Sequence, residues 1–195
     1  MSDDLRRFDA SQGPRIVGPQ DGKLVDLMSM GARMMAWAEE TGGGFSVLEH
    51  PMPPRALGAP LHRHSREDEY SFVIEGRMGA VLGDDVVYAE VGDLAFKPRD
   101  QWHTFWNAGD EPCRILEIIA PGGFEHFFDE LGALMESPDF DPAQLGELGA
   151  RYGLEVQPDT VPQLHHPGRP GGLDPHRVTF IWATLIGPPQ RRGAG

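Results

Sequence analysis

Three histidines and one glutamate stand at spacings that let a single metal ion collect them: His62-Arg63-His64, then Glu69, then His103. In an extended strand alternate side chains share a face, so His62 and His64 point the same way without a helix to arrange them. Neutral imidazole and carboxylate suit divalent Fe, Ni, Mn, Zn or Cu, so the ligand types name a class of metals and not one member. The expected cofactor is one such divalent transition metal per chain. Four protein ligands leave one position open on a five-coordinate ion and two on an octahedral one, and open positions separate a catalytic metal from a structural one. A divalent ion beside one carboxylate keeps a residual charge of about +1, which an enolate, phenolate or carboxylate would neutralise.

The residues between the ligands form two blocks. The first runs Gly58-Ala-Pro-Leu-His62-Arg-His64-Ser-Arg-Glu67-Asp-Glu69-Tyr-Ser-Phe-Val-Ile-Glu75-Gly76, and the second Gly92-Asp-Leu-Ala-Phe-Lys-Pro98-Arg-Asp100-Gln-Trp-His103-Thr-Phe-Trp-Asn107. Together they resemble the paired motifs of the cupin superfamily. Glu69, and not Glu67, matches the motif glutamate, because only Glu69 is separated from Gly76 by six residues. Two departures are visible: Gly58 lies closer to His62 than the family's first glycine does, and Asp100 replaces the glycine of the second motif. Aspartate tolerates a left-handed turn, so the turn is expected to survive.

The resemblance implies a small jelly-roll β-barrel, the double-stranded β-helix, with His62, His64, Glu69 and His103 around an interior metal. The run Pro121-Gly-Gly-Phe-Glu-His-Phe-Phe128 after the barrel is similar to single-domain bacterial proteins grouped with quercetin dioxygenases. In that group the motif glutamate both binds the metal and takes the substrate's hydroxyl proton, which here makes Glu69 the expected catalytic residue. Aromatic residues crowd the ligands. Alternation puts Phe105 on the same face as His103, and Phe72, Phe96 and Phe105 are expected to line an apolar pocket for a flat organic substrate. The expected function is that of a metal-dependent oxygenase on a small phenolic or enolic molecule. A metal-dependent isomerase, decarboxylase or lyase, and a metal- and ligand-binding cupin without turnover, are the alternatives on this scaffold.

Composition narrows the partners. The 195 residues carry a formal net charge of -13, and only two of the 17 basic residues are lysine, so nucleic acid and anionic membrane are not expected partners. The single Cys113 cannot form an intrachain disulfide, which fits a reducing cytoplasm. No N-terminal apolar segment follows Met1-Ser-Asp-Asp-Leu-Arg-Arg7, and the longest apolar stretch, Val178 to Ile186, is too short to span a bilayer.

The elements that must position the ligands read as all-β with C-terminal helices. Residues 1–120 are expected to form the barrel with an N-terminal strand segment, 121–156 a helical extension packed on it, and 157–195 a Pro/Gly-rich tail. Strands are predicted over 33–38, 45–50, 69–74, 77–82, 86–90, 94–96, 104–107 and 113–119, separated by turns such as Thr41-Gly-Gly-Gly44 and Gly83-Asp-Asp85. After Pro121 the apolar period changes: Phe124, Phe127, Phe128, Leu131 and Leu134 mark an amphipathic helix, and a second short helix opens at Asp141-Pro142 and closes at Gly153. His165, His166 and His176 fall in the tail and read as solvated rather than as a second metal site. A homodimer is expected, because open jelly-roll sheets leave edges for a partner to cover; Arg15–Val17 and Val178–Ile186 are candidate exchange strands.

Overall fold

The structure, a computed structural model, describes residues 13–141 and 143–157. Eleven strands and two helices follow in order: β1 (Lys23–Asp26), β2 (Gly31–Ala36), β3 (Ser46–Met52), β4 (Leu61–His64), β5 (Asp68–Glu75), β6 (Met78–Leu82), β7 (Asp85–Ala89), β8 (Leu94–Lys97), β9 (His103–Asn107), β10 (Cys113–Ala120), α1 (Glu125–Met135), α2 (Ala143–Arg151) and β11 (Leu154–Gln157). A short 3-10 turn at Ala38–Thr41 precedes β3.

The strands form two antiparallel sheets, one of six strands in the order β1-β2-β3-β10-β5-β8 and one of five in the order β11-β4-β9-β6-β7. Jumps such as β3 to β10 and β4 to β9 are the crossovers of a jelly roll, as expected. All eight predicted strands are present to within two residues at each end. The short β1 and β11 were not predicted, and β4 was expected only as the extended stretch that carries two histidines.

Alternation decides what each strand turns inward. In β10 Cys113, Ile115, Glu117 and Ile119 are buried while Arg114, Leu116, Ile118 and Ala120 are partly exposed. In β5 the buried set is Glu69, Ser71 and Val73. The interior between the sheets is therefore apolar in composition, with Leu48, Met34, Val73, Ile115 and Ile119 at 0% exposure, but charged residues break it at chosen points.

The first helix is amphipathic as predicted, and Phe124, Phe128, Leu131 and, from α2, Leu148 join the same core as Val25, Leu27 and Met30 of the β1–β2 hairpin. Gly132 meets Val25 so closely that a Cβ there would lie 2.3 Å from Val25 Cγ1. The helix is thus seated on the hairpin through its smallest residue. The stretch from 121 onward is not wholly helical: it ends in β11, which pairs antiparallel with β4 from Leu154 opposite His64 to Gln157 opposite Leu61. The second helix and the turn at Gly153, φ 69°, exist to return the chain to that edge.

Residues 15–17, a candidate exchange strand, form no strand, and Ile16 is 92% exposed. The candidate strand at 178–186 and the tail histidines His165, His166 and His176 lie outside the described residues.

Candidate metal centre and cavity

The five-stranded sheet supplies the three imidazoles and the six-stranded sheet supplies the carboxylate. His62 and His64 leave the same face of β4, and His103 at the start of β9 is the register partner of His62. Glu69 approaches from β5 across the interior. One potential ligand atom from each of the four lies within 4.8 Å of the others, and all four side chains are buried. The ring centroids of His62 and His103 are 4.3 Å apart, those of His62 and His64 5.1 Å, and those of His64 and His103 5.5 Å.

The turn before β9 holds this geometry. Asp100 has φ 63°, the left-handed conformation expected where the motif has glycine, and its N–H donates to the His64 carbonyl at 2.7 Å. Asn107, the single asparagine, is a structural clamp: its side-chain amide donates to the carbonyls of Met52, Pro53 and Glu111, and its oxygen accepts from Gly109 N–H.

Hydrogen bonds fix which imidazole nitrogens face inward. His62 Nδ1 lies 2.8 Å from the Pro60 carbonyl and His103 Nδ1 3.0 Å from the Gln101 carbonyl, and a carbonyl can only accept, so both Nδ1 atoms carry the proton. Their Nε2 lone pairs are left for the centre. Burial, and then the neighbouring His103 and His64, push the His62 pKa well below its ordinary value; burial lowers His64 to about 4. Burial would raise Glu69, but it goes down as well, with the Lys97 ammonium the largest opposing cause. Acceptors therefore converge on one point: Glu69 Oε1 is 3.3 Å from His64 Nε2 and Glu69 Oε2 is 3.1 Å from His103 Nε2. Neither nitrogen of His64 has a hydrogen-bond partner among the described residues. Three imidazoles and one carboxylate gathered about one point are the donor set of a divalent transition metal. The residues fit the group, and His62, His64, Glu69 and His103 could hold it.

Behind Glu69 lies a charge network that sequence reasoning missed. Lys97, 2% exposed at the end of β8, places Nζ 2.8 Å from Glu69 Oε2 and 3.0 Å from Glu117 Oε1, and Ser71 Oγ donates to Glu117 Oε2 at 2.6 Å. Burial would lower the Lys97 pKa, but Glu117 and Glu69 more than reverse it and the group is raised; burial raises Glu117, with the Glu69 charge adding to the effect. The signal was available: Lys97 and Glu117 are charges at inward positions, where their strand neighbours on the same face are uncharged.

A cavity of about 530 Å³ opens beside the centre. Its polar wall is His62, His64, Glu69, Lys97, Glu117 and His50; the rest is aliphatic or aromatic, with Phe105 from β9 and Phe124, Phe127 and Phe128 from the approach to α1 and its first turn. Phe124 stands edge-on to His64 at 4.3 Å between centroids and stacks on Phe127 at 4.9 Å. Of the three phenylalanines expected to line a pocket, only Phe105 does. Phe72 and Phe96 are 38% and 49% exposed, and Phe96 stacks on Tyr70 on the outer face. The reason is parity: Phe72 is three residues from inward Glu69, and Phe96 is adjacent to inward Lys97. The aromatic lining comes instead from the helix that follows the barrel.

Residues 49–119 match the family model described as Cupin domain. This stretch is a cupin domain. Among solved structures, this cupin resembles KdgF from Halomonas sp. with 13% identity and TM-score 0.52, covering 58% of this chain and 99% of that one. It also resembles a predicted oxalate decarboxylase from Thermotoga maritima, with 17% identity and TM-score 0.50, covering 55% of this chain and 99% of that one. At these identities the likeness is one of fold. No curated protein matches the sequence. Among the described residues no helix is long and apolar enough to cross a membrane.

Proposed function

We propose that this cupin is a metal-dependent enzyme of the oxygenase type, acting on a small phenolic or enolic molecule. The observation that carries the reading is the pairing of one donor-rich pole, His62, His64, Glu69 and His103, with a cavity walled mainly by Leu27, Met30, Phe105, Phe124, Phe127 and Phe128. Such walls favour a flat apolar body over a sugar or a dicarboxylate, whose many polar groups would be left without partners. The one cationic side chain in the wall, Lys97, is already held between two carboxylates.

When bound, a divalent metal would supply Lewis acidity and, for a redox-active ion, a centre for dioxygen chemistry. The chain's own residues do the rest. The imidazoles and Glu69 would hold the ion at one end of the cavity; the phenylalanines exclude water and set the plane of the ring. Glu69 is the proposed acceptor of the substrate hydroxyl proton. Lys97, ion-paired with both Glu69 and Glu117, lowers the basicity of Glu69 and lets the three groups share the charge change when a proton reaches it. Cys113 takes no part: it is buried, and burial pushes its thiol up to about 11. The working assembly is proposed to be a homodimer in a reducing compartment.

The test is oxygen uptake by the protein loaded in turn with Fe, Ni, Mn, Zn and Cu, against a flavonol and a panel of phenols and enolic diketones. Metal-dependent uptake with any of them supports the reading. Substrate consumption with no oxygen uptake would move the chain to the isomerase or lyase reading, and metal-dependent binding without turnover to the ligand-binding one.

A further inference from the structure

The cavity has a second polar pole, separate from the four metal-binding residues. His50 of β3 is 1% exposed and lines the cavity. Its Nδ1 stands 3.0 Å from the Gly31 carbonyl at the start of β2, which can only accept, so Nδ1 carries the proton and donates. Nε2 is then a bare lone pair, and it has no hydrogen-bond partner among the described residues. The ring packs beside two lining aromatics, 5.9 Å from Phe105 and 5.5 Å from Phe128 between centroids. Burial keeps it neutral, lowering its pKa to about 4. An acceptor that faces the cavity without a protein donor is free to take one from a ligand.

We propose that His50 is a specificity-determining residue whose Nε2 accepts a hydrogen bond from a hydroxyl on the substrate, remote from the oxygen that the His62, His64, Glu69 and His103 pole holds. The substrate class is thereby narrowed to flat aromatic molecules with two separated polar groups, of which the distal one is a donor. Phe105 reaches both regions: its ring is 4.9 Å from Lys97 Nζ, the partner of Glu69, and 5.9 Å from the His50 ring. The body of the ligand packs along Phe105 and the helix phenylalanines, and an ether or halogen at the distal position, having no proton to give, leaves Nε2 unsatisfied.

This role for His50 rests on the reading of the cavity as a small-molecule site. The experiment compares binding of naphthalene-2,6-diol and 2-naphthol by calorimetry to wild type, His50→Phe and His50→Gln, each Zn-loaded and checked for an unchanged thermal transition. Wild type should bind the diol about tenfold tighter than the naphthol, the ordinary worth of one hydrogen bond to a buried acceptor. His50→Phe should abolish that preference while keeping naphthol affinity, and His50→Gln, which retains an acceptor oxygen, should restore part of it. Equal affinity of wild type for both compounds, or equal loss of both in His50→Phe, overturns the role of His50 and leaves the cavity reading standing. Failure of wild type to bind either compound overturns both. Should His50→Phe shift the thermal transition, the comparison between His50→Gln and wild type decides by the same criterion.

Discussion

Lys97 Nζ stands 2.8 Å from Glu69 Oε2, so the carboxylate proposed to face the metal on one side is already paired with a buried ammonium on the other. With Glu117 3.0 Å from the same nitrogen, the site behind the ligands carries two carboxylates and one cation. Removing the cation strands both anions away from water, where an uncompensated charge is costly. Lys97→Met, similar in length, is expected to destabilise the metal-free protein by about 3–5 kcal/mol in urea denaturation. Adding Glu117→Gln should recover a substantial part of that loss. A single variant as stable as wild type would mean that the network holds fewer charges than its geometry implies.

Metal content follows from the convergence of acceptors. One divalent ion per chain is expected by elemental analysis, and the double variant His62→Ala, His64→Ala should hold none, because it removes the two ligands that β4 presents on one face. Chelation should lower the thermal midpoint of wild type and leave that of the double variant unmoved, since only the native site gains from binding. Full occupancy in the double variant would refute the assignment of these ligands.

Glu49 gives a pH dependence away from the metal. It lies in β3, 4% exposed, and pairs with Arg33 and, at 2.7 Å, with Arg114. Burial would raise its pKa, but the two guanidinium groups prevail and hold it below 4.5. A carboxylate depressed in the folded state stabilises above its unfolded pKa and loses that contribution as pH falls through the folded value. The stability gap between wild type and Glu49→Gln should therefore be widest at neutral pH and close progressively as pH drops below about 4.5. A gap constant from pH 7 to pH 3 would show that Glu49 acts by shape alone.

The dimer prediction now has a surface. Strand β8 is an edge of the six-stranded sheet, and the outer face of β5 and β8 exposes Phe72, Leu94 and Phe96 at 38%, 59% and 49%. Paired edges and covered apolar faces are how such sheets avoid uncontrolled association. Light scattering is expected to give twice 21.5 kDa at micromolar concentration, and Leu94→Ser with Phe96→Ser to shift the protein toward monomer. A wild-type mass of 21.5 kDa would end the idea.

Much of this arrangement was legible beforehand, and the failures have a common cause. The strand pattern, the clustering of His62, His64, Glu69 and His103, the left-handed Asp100 and the helix marked by Phe124, Phe127, Phe128 and Leu131 follow from local periods and motif spacing. Phe72 and Phe96 were misplaced because proximity in sequence was allowed to outweigh parity along the strand. Lys97, Glu117 and His50 were missed for a different reason. Each is a buried polar residue on the inward face of its strand, and only the pairing of β8 with β5, β5 with β10 and β10 with β3 brings them to one cavity. Strand β11 is likewise invisible locally: four residues, Leu154–Gln157, acquire strand character from a partner about ninety residues earlier.

Glu69 is asked to do two things: hold the metal and accept the substrate's proton. Glu69→Gln separates them, since the amide keeps the shape and one oxygen ligand while losing nearly all basicity. The variant also loses the negative partner of Lys97, so some stability loss is expected and metal affinity should fall without vanishing. At saturating metal, turnover of whichever substrate the oxygen-uptake panel identifies should drop by roughly 10² or more, the usual scale of a lost general base. A site that only holds metal would lose affinity and keep its rate once refilled. The decisive comparison is kcat of wild type and Glu69→Gln, each shown by elemental analysis to carry one ion per chain: equal values would take the proton-transfer role from Glu69 and leave it as a ligand alone.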